Sequence, residues 1–136
     1  MLLDLRNFAE RYAAAWSSQN AASVAAFFSP NGSLTINEGP PSDGRAAITA
    51  AAQGFMTAFP ELRVTMDSVS VENDHAIFHW TLQGHNTGPG GTGARVRISG
   101  FEEWNIGEDG LIAESRGHFD GEDYRRQIEQ GAYGSA

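Results

Sequence analysis

The sequence predicts an α+β domain: helices in the first half, a curved antiparallel sheet in the second, and one sheet face packed on the helices. Three observations carry this. Apolar residues recur every three or four positions as far as Pro60, and the period switches to two from Leu62 onward. Short turn signals such as Asn73-Asp74 and Glu108-Asp109-Gly110 then divide the second half into strands. A chain of 136 residues, 40% hydrophobic and 19% charged, fits one compact domain over residues 1–136 and leaves no room for a second of ordinary size.

Leu5, Phe8, Tyr12 and Trp16 give one apolar face to a first helix from about Leu3 to Ser18. Asn20 is placed to cap a short helix that runs through Phe27 and Phe28. Pro30-Asn31-Gly32 ends it before a brief strand, Ser33 to Ile36, and a loop from Asn37 to Pro41 follows. Asp43 is placed to cap a third helix, lined by Ile48, Ala51, Phe55 and Phe59 and stopped by Pro60.

From Leu62, the residues Leu62, Val64 and Met66 alternate with Arg63, Thr65 and Asp67. In the next strand Ala76, Phe78, Trp80 and Leu82 share the apolar face. Between Arg95 and Ile106 the same face carries Val96, Ile98, Gly100, Glu102, Trp104 and Ile106. The last strand offers Leu111, Ala113, Ser115, Gly117 and Phe119 inward, against Ile112, Glu114, Arg116, His118 and Asp120. A polar helix, Glu122 to Gln130, closes the chain. Gly100 and the surroundings of Gly107 are bend or bulge sites, and a sheet curved over a long helix encloses a cone-shaped space.

Composition narrows the function classes. A net charge of -8 repels phosphate backbones and anionic lipid, and no segment supplies a basic patch, so neither nucleic acid nor membrane is an expected partner. Cysteine is absent, which removes disulfides, thiolate metal sites and thiol nucleophiles. Asp4 and Arg6 interrupt the apolar run that a signal peptide needs, and a cytoplasmic location is the expectation. Gly88-Pro89-Gly90-Gly91-Thr92-Gly93 fits G-x-G-x-x-G but joins two strands, where a dinucleotide fingerprint needs a strand, a loop and a helix. His75 and His79 on one strand stand about 13 Å apart, too far to share a metal ion. No metal and no cofactor is expected.

The candidate for chemistry is Glu102, a carboxylate on the dry face of a strand, which is costly unless partnered. Surrounded by Tyr12, Trp80 and Trp104, it gains a pKa raised by desolvation and becomes a usable general acid or base. Tyr12 is placed to donate a hydrogen bond to a substrate oxygen where negative charge develops. Trp16, Phe55, Phe59, Phe78, Trp80, Trp104 and Ser115 are the expected substrate-binding walls, and the small Ser115 and Gly117 leave space. A structural reading stands beside this one: Glu102 accepts hydrogen bonds from its neighbours and does nothing else. His118 and Asp120 fall on the outer face. One bulge in the last strand would turn them inward as an alternative acid/base pair.

A family resemblance accompanies these features. The order of Tyr12 and Trp16 on a helix, Gly44-Arg45-Ala46-Ala47-Ile48, Ala58-Phe59-Pro60-Glu61-Leu62, His79-Trp80-Thr81-Leu82-Gln83-Gly84, Thr87-Gly88, Ser99-Gly100 and Glu108-Asp109-Gly110-Leu111-Ile112 resembles the SnoaL-like polyketide cyclases. These belong to the NTF2-like (nuclear transport factor 2-like) superfamily, and the likeness spans about residues 5 to 131. It implies a conical α+β barrel with a deep apolar pocket, commonly a homodimer through the sheet, acting on a small hydrophobic molecule without metal or cofactor. The superfamily includes ketosteroid isomerases, dehydratases and epoxide hydrolases. Two departures are evident: the acid that such cyclases carry in the last strand falls on Gly117, and the histidine of a Thr-His-Thr-Gly run falls one place early, in His85-Asn86-Thr87-Gly88. Two functions follow as expectations. One is a cofactor-free isomerase, cyclase or dehydratase moving a proton on a small hydrophobic carbonyl compound. The other is a non-catalytic module of the same fold that binds a hydrophobic ligand or dimerises.

Overall fold

The computed structural model describes residues 4–131, so the Leu3 start expected for the first helix lies outside the described residues. Helix α1 (Leu5–Ser17) begins where Asp4 accepts a hydrogen bond from the Asn7 amide, and α2 (Ala21–Ala25) where Asn20 accepts one from Ser23. Helix α3 spans Gly44–Ala58 and ends at Phe59, one residue before Pro60. Asp43 holds the N-cap position, but its side chain makes no capping bond. α1 lies along β3, and α3 along β1 and α2.

Six strands form one curved, unclosed sheet in the order β2-β1-β6-β5-β4-β3. They are β1 (Phe28–Ile36), β2 (Ser42–Asp43), β3 (Arg63–Glu72), β4 (His75–His85), β5 (Arg95–Ile106) and β6 (Ile112–Phe119), with helix α4 (Gly121–Gln130) following the last. Four strands, β3 to β6, form the expected antiparallel meander. β1 pairs with β6 in parallel, so the sheet is mixed.

Two local expectations are corrected. The second helix stops at Ala25, and Phe28 opens β1 instead, because the Ile112 amide bonds to the Phe27 carbonyl and Phe28 is fully buried beside Ile112. Pro30-Asn31-Gly32 is an irregularity inside that strand. At Gly32 a Cβ would stand 2.8 Å from the Ile112 carbonyl oxygen, which only glycine tolerates. In β6 a register shift between Asn105 and Ile106 leaves Ala113 as the extra residue and turns Ile112 inward, reversing the expected phase of the strand's first residues.

Downstream of that bulge the phase is regular, and it positions everything that follows. Three inward rows cross β4, β5 and β6: Ala76, Trp104 and Ser115; then Phe78, Glu102 and Gly117; then Trp80, Gly100 and Phe119. β1 extends the first two with Leu34 beside Ser115 and Ile36 beside Gly117.

Candidate active site

Glu102 sits in the middle row, and burial leaves 7% of its surface exposed. Three side chains donate to its Oε1: Ser115 Oγ at 2.7 Å, Trp104 Nε1 at 2.9 Å and the Tyr12 hydroxyl at 3.0 Å. The Tyr12 proton is shared with Oε2, at 3.2 Å. The donors come from α1, β5 and β6, so the carboxylate is held from three elements. Oε1 is saturated; Oε2 has only the long shared contact and is the oxygen free to exchange a proton.

Desolvation raises the Glu102 pKa above its ordinary value, while the bonds from Ser115, Trp104 and Tyr12 pull it back down. Burial also pushes the Tyr12 hydroxyl well up, helped by the neighbouring carboxylate, so it stays a donor. Tyr12 is fixed by edge-to-face contacts with Phe78 at 5.4 Å and Trp104 at 5.2 Å, and those two rings stack on each other at 5.0 Å.

Glu102 opens into a cavity on the inner face of the sheet. Phe78, Trp80, Leu82, Ile98, Gly117 and Phe119 form its sheet wall, with Leu34 and Ile36 from β1. Trp16 of α1, Phe55 of α3 and Val64 of β3 close the other side. Glu102 is the one ionisable side chain among these described lining residues. The space open to the centre of a water-sized sphere is about 50 Å³, a few waters at about 10–15 Å³ each. Of the lining residues, Ile36, Phe55, Val64 and Phe119 are half-buried. Tyr124 of α4 stands against Phe119, Phe59 and Phe55, at 5.5, 6.3 and 6.5 Å, and backs this part of the wall.

Of the residues expected from sequence, Trp16, Phe55, Phe78, Trp80 and Glu102 meet at the cavity. Tyr12, Trp104 and Ser115 lie behind the carboxylate and hold it, and Phe59 packs beneath Tyr124. The Tyr12 hydroxyl, expected as a donor to a substrate oxygen, donates to Glu102 here, and Tyr12 is not among the lining residues. The alternative pair does not come inward. The bulge lies upstream of Ser115, so His118 stays outside, 2.9 Å from Glu103, and Asp120 caps α4 through the Glu122 and Asp123 amides. Sequence reasoning missed Leu34 and Ile36, whose strand reaches the site by parallel pairing, and Val64, Leu82, Ile98 and Phe119, whose inward phase was legible. A wider surface groove of about 520 Å³, lined by residues including Gln19, Glu61, Arg63 and His85, contains none of the expected site residues. Among the described residues no three His, Cys, Asp or Glu side chains converge as a metal site would require, and no helix is long and apolar enough to cross a membrane.

A family model described as a SnoaL-like domain matches residues 9–115. No curated protein sequence matches. Among solved structures, a protein of ketosteroid isomerase-like fold from Catenulispora acidiphila, crystallised with trimethylamine, aligns with a TM-score of 0.79 at 16% identity, over 95% of this chain and 97% of that one. TsrD from Streptomyces laurentii aligns at 0.78 with 22% identity, over 94% and 98%. A putative SnoaL-like polyketide cyclase from Jannaschia sp. CCS1 aligns at 0.74 with 18% identity, over 94% and 96%. At these identities the likeness is one of fold.

Proposed function

Because this chain belongs to the SnoaL-like domain family, we propose that it is a cofactor-free acid/base enzyme whose Glu102 moves a proton on a small, uncharged carbonyl compound. The observation that carries this reading is the single buried carboxylate, with raised pKa and one unsaturated oxygen, opening into an otherwise apolar cavity. Ionised Glu102 takes a proton from the carbon next to the carbonyl: the C–H bond breaks, an O–H bond forms at Oε2, and the electron pair becomes an enolate. The neutral carboxyl then returns the proton. Return to a second carbon is isomerisation, return to the alkoxide left by enolate attack on another carbonyl is ring closure, and return to a departing β-hydroxyl is dehydration. An anionic substrate is disfavoured, because no cationic side chain is among the described lining residues.

The test is deuterium incorporation. In D2O the protein should accelerate α-deuteration of small enolisable ketones such as cyclohexanone, and Glu102→Gln should remove about 10²- to 10⁴-fold of that acceleration. The rate should rise with pH through the raised pKa, since the base must be ionised. Equal exchange by the variant would overturn the reading.

The second reading is a non-catalytic ligand-binding or dimerisation module, favoured by the completeness of the bonds around Oε1, which are those of a structural buried carboxylate. It predicts ligand affinity indifferent to Glu102→Gln. Both readings include a homodimer through the outer sheet face, where Phe101 lies between His118, at 4.8 Å, and His79, at 5.8 Å. Sedimentation showing only single-chain mass at micromolar concentration would refute it.

A further inference from the structure

With Tyr12 committed to Glu102, the proposed enolate needs another donor, and we infer that the Trp80 indole N–H holds the substrate's carbonyl oxygen. This rests on the acid/base reading of the same cavity. Trp80 is 8% exposed, and its Nε1 is buried with no hydrogen-bond partner among the described residues. A buried donor without an acceptor is costly, and folded domains keep few of them.

The position fits a ligand contact. Trp80 lines the cavity. Its ring leans over β5 at Gly100, where a Cβ would stand 2.7 Å from the Trp80 Cζ2. Cζ2 and Nε1 are bonded to the same ring carbon, so the edge bearing the N–H is the one above β5. Gly100 precedes Glu102 by two residues on that strand, one row away, about 7 Å along it. The indole and the carboxylate therefore stand on adjacent rows of one cavity wall, within the span of a small substrate. Trp80 Nε1 is the one buried side-chain donor left without a partner among the described residues. The substrate class narrows to neutral compounds carrying one acceptor oxygen next to the reacting carbon, with apolar carbons elsewhere.

The experiment uses cyclohexanone and its carbon counterpart methylenecyclohexane. The three tryptophans of the chain give three indole N–H resonances in a nitrogen-15 correlation spectrum, and Trp80→Phe assigns one. Saturating cyclohexanone should move the Trp80 resonance downfield, and methylenecyclohexane should not. The ketone should bind the wild-type protein about three- to tenfold more tightly than the alkene, a preference that Trp80→Phe abolishes. Equal movement with both probes, a ketone preference that survives in the variant, or no saturable ketone binding would overturn the inference. The two proposals fail separately. A downfield shift without Glu102-dependent deuteration leaves the donor standing and removes the base; deuteration with an indifferent Trp80 resonance does the reverse.

Discussion

Replacing Ser115 with Ala tests the site through its shortest bond. Ser115 is fully buried, and its Oγ lies 2.7 Å from Glu102 Oε1. When Glu102 is protonated this is a neutral hydrogen bond, worth about 0.5–1.5 kcal/mol net; when it is ionised the bond is charge-assisted, worth about 1.5–3 kcal/mol. The small packing loss from the missing hydroxyl is the same at every pH and cancels in a comparison of two. Burial holds the folded carboxyl above its ordinary value of 4.5, so folded-state stability is greatest below that value and is lost as pH rises through the folded pKa. Without the serine, the folded pKa rises further and the loss extends over a longer range. The cost of Ser115→Ala should therefore be about 1–1.5 kcal/mol greater at pH 8.5 than at pH 4, a change of a few degrees in Tm for a domain of this size. Urea unfolding followed by tryptophan fluorescence measures it. A cost independent of pH, or larger at pH 4, would refute the assignment of Ser115 as a donor to an ionisable Glu102.

Further outcomes follow from the same geometry. Glu102→Gln, neutral at all pH, should gain in Tm relative to the wild-type protein as pH rises from 4 to 8.5, because only the wild-type carboxyl is ionised against its burial; parallel curves would contradict the buried, desolvated carboxyl. Gly88→Ala should destabilise by about 1–3 kcal/mol, since its Cβ would fall 1.9 Å from the Thr57 carbonyl oxygen, where the β4–β5 loop is hydrogen-bonded to the end of α3. Gly54→Ala is the control: the position is exposed in the same helix with nothing within 4 Å of the added Cβ, and chemical denaturation should show a gain of about 0.5–1 kcal/mol.

The sheet phase around the site was legible because β4 and β5 pair over ten residues without a slip, so a period of two is enough to put Glu102, Trp80 and Trp104 inside. The family was legible from the order of short motifs, and the family model confirms it. What failed were features decided by distant pairing. Pro30-Asn31-Gly32 carries the local chemistry of a turn, yet the fold uses it as a bulge within β1, whose parallel partner is some eighty residues away in sequence. A bulge was expected around Gly107 and the register shift does fall beside it, between Asn105 and Ile106, but the extra residue is Ala113 on the facing strand, which reverses the phase expected there. Hydroxyl roles were the other gap. Ser115 reads as a small residue that leaves space and Tyr12 as a free donor, but a buried carboxylate is the strongest acceptor within reach of both, and it accepts a hydrogen bond from each.

Gly117 decides what kind of chemistry remains. It is the position where SnoaL-like cyclases carry an acid, and a Cβ there would lie 3.6 Å from Glu102 Cγ. A second carboxylate at that distance would couple its titration to that of Glu102 and divide the acid and base roles between two groups. With glycine, the pKa of Glu102 is set by burial against three donors, and the space the acid would fill becomes cavity wall. On the proposed reading one oxygen then both takes and returns the proton. The two exchanging atoms of the substrate must lie on the same face, within reach of Oε2, while Trp80 holds the oxygen between them. That geometry suits a short proton shift beside a carbonyl, and among the described lining residues no second ionisable group stands on the opposite face to activate water.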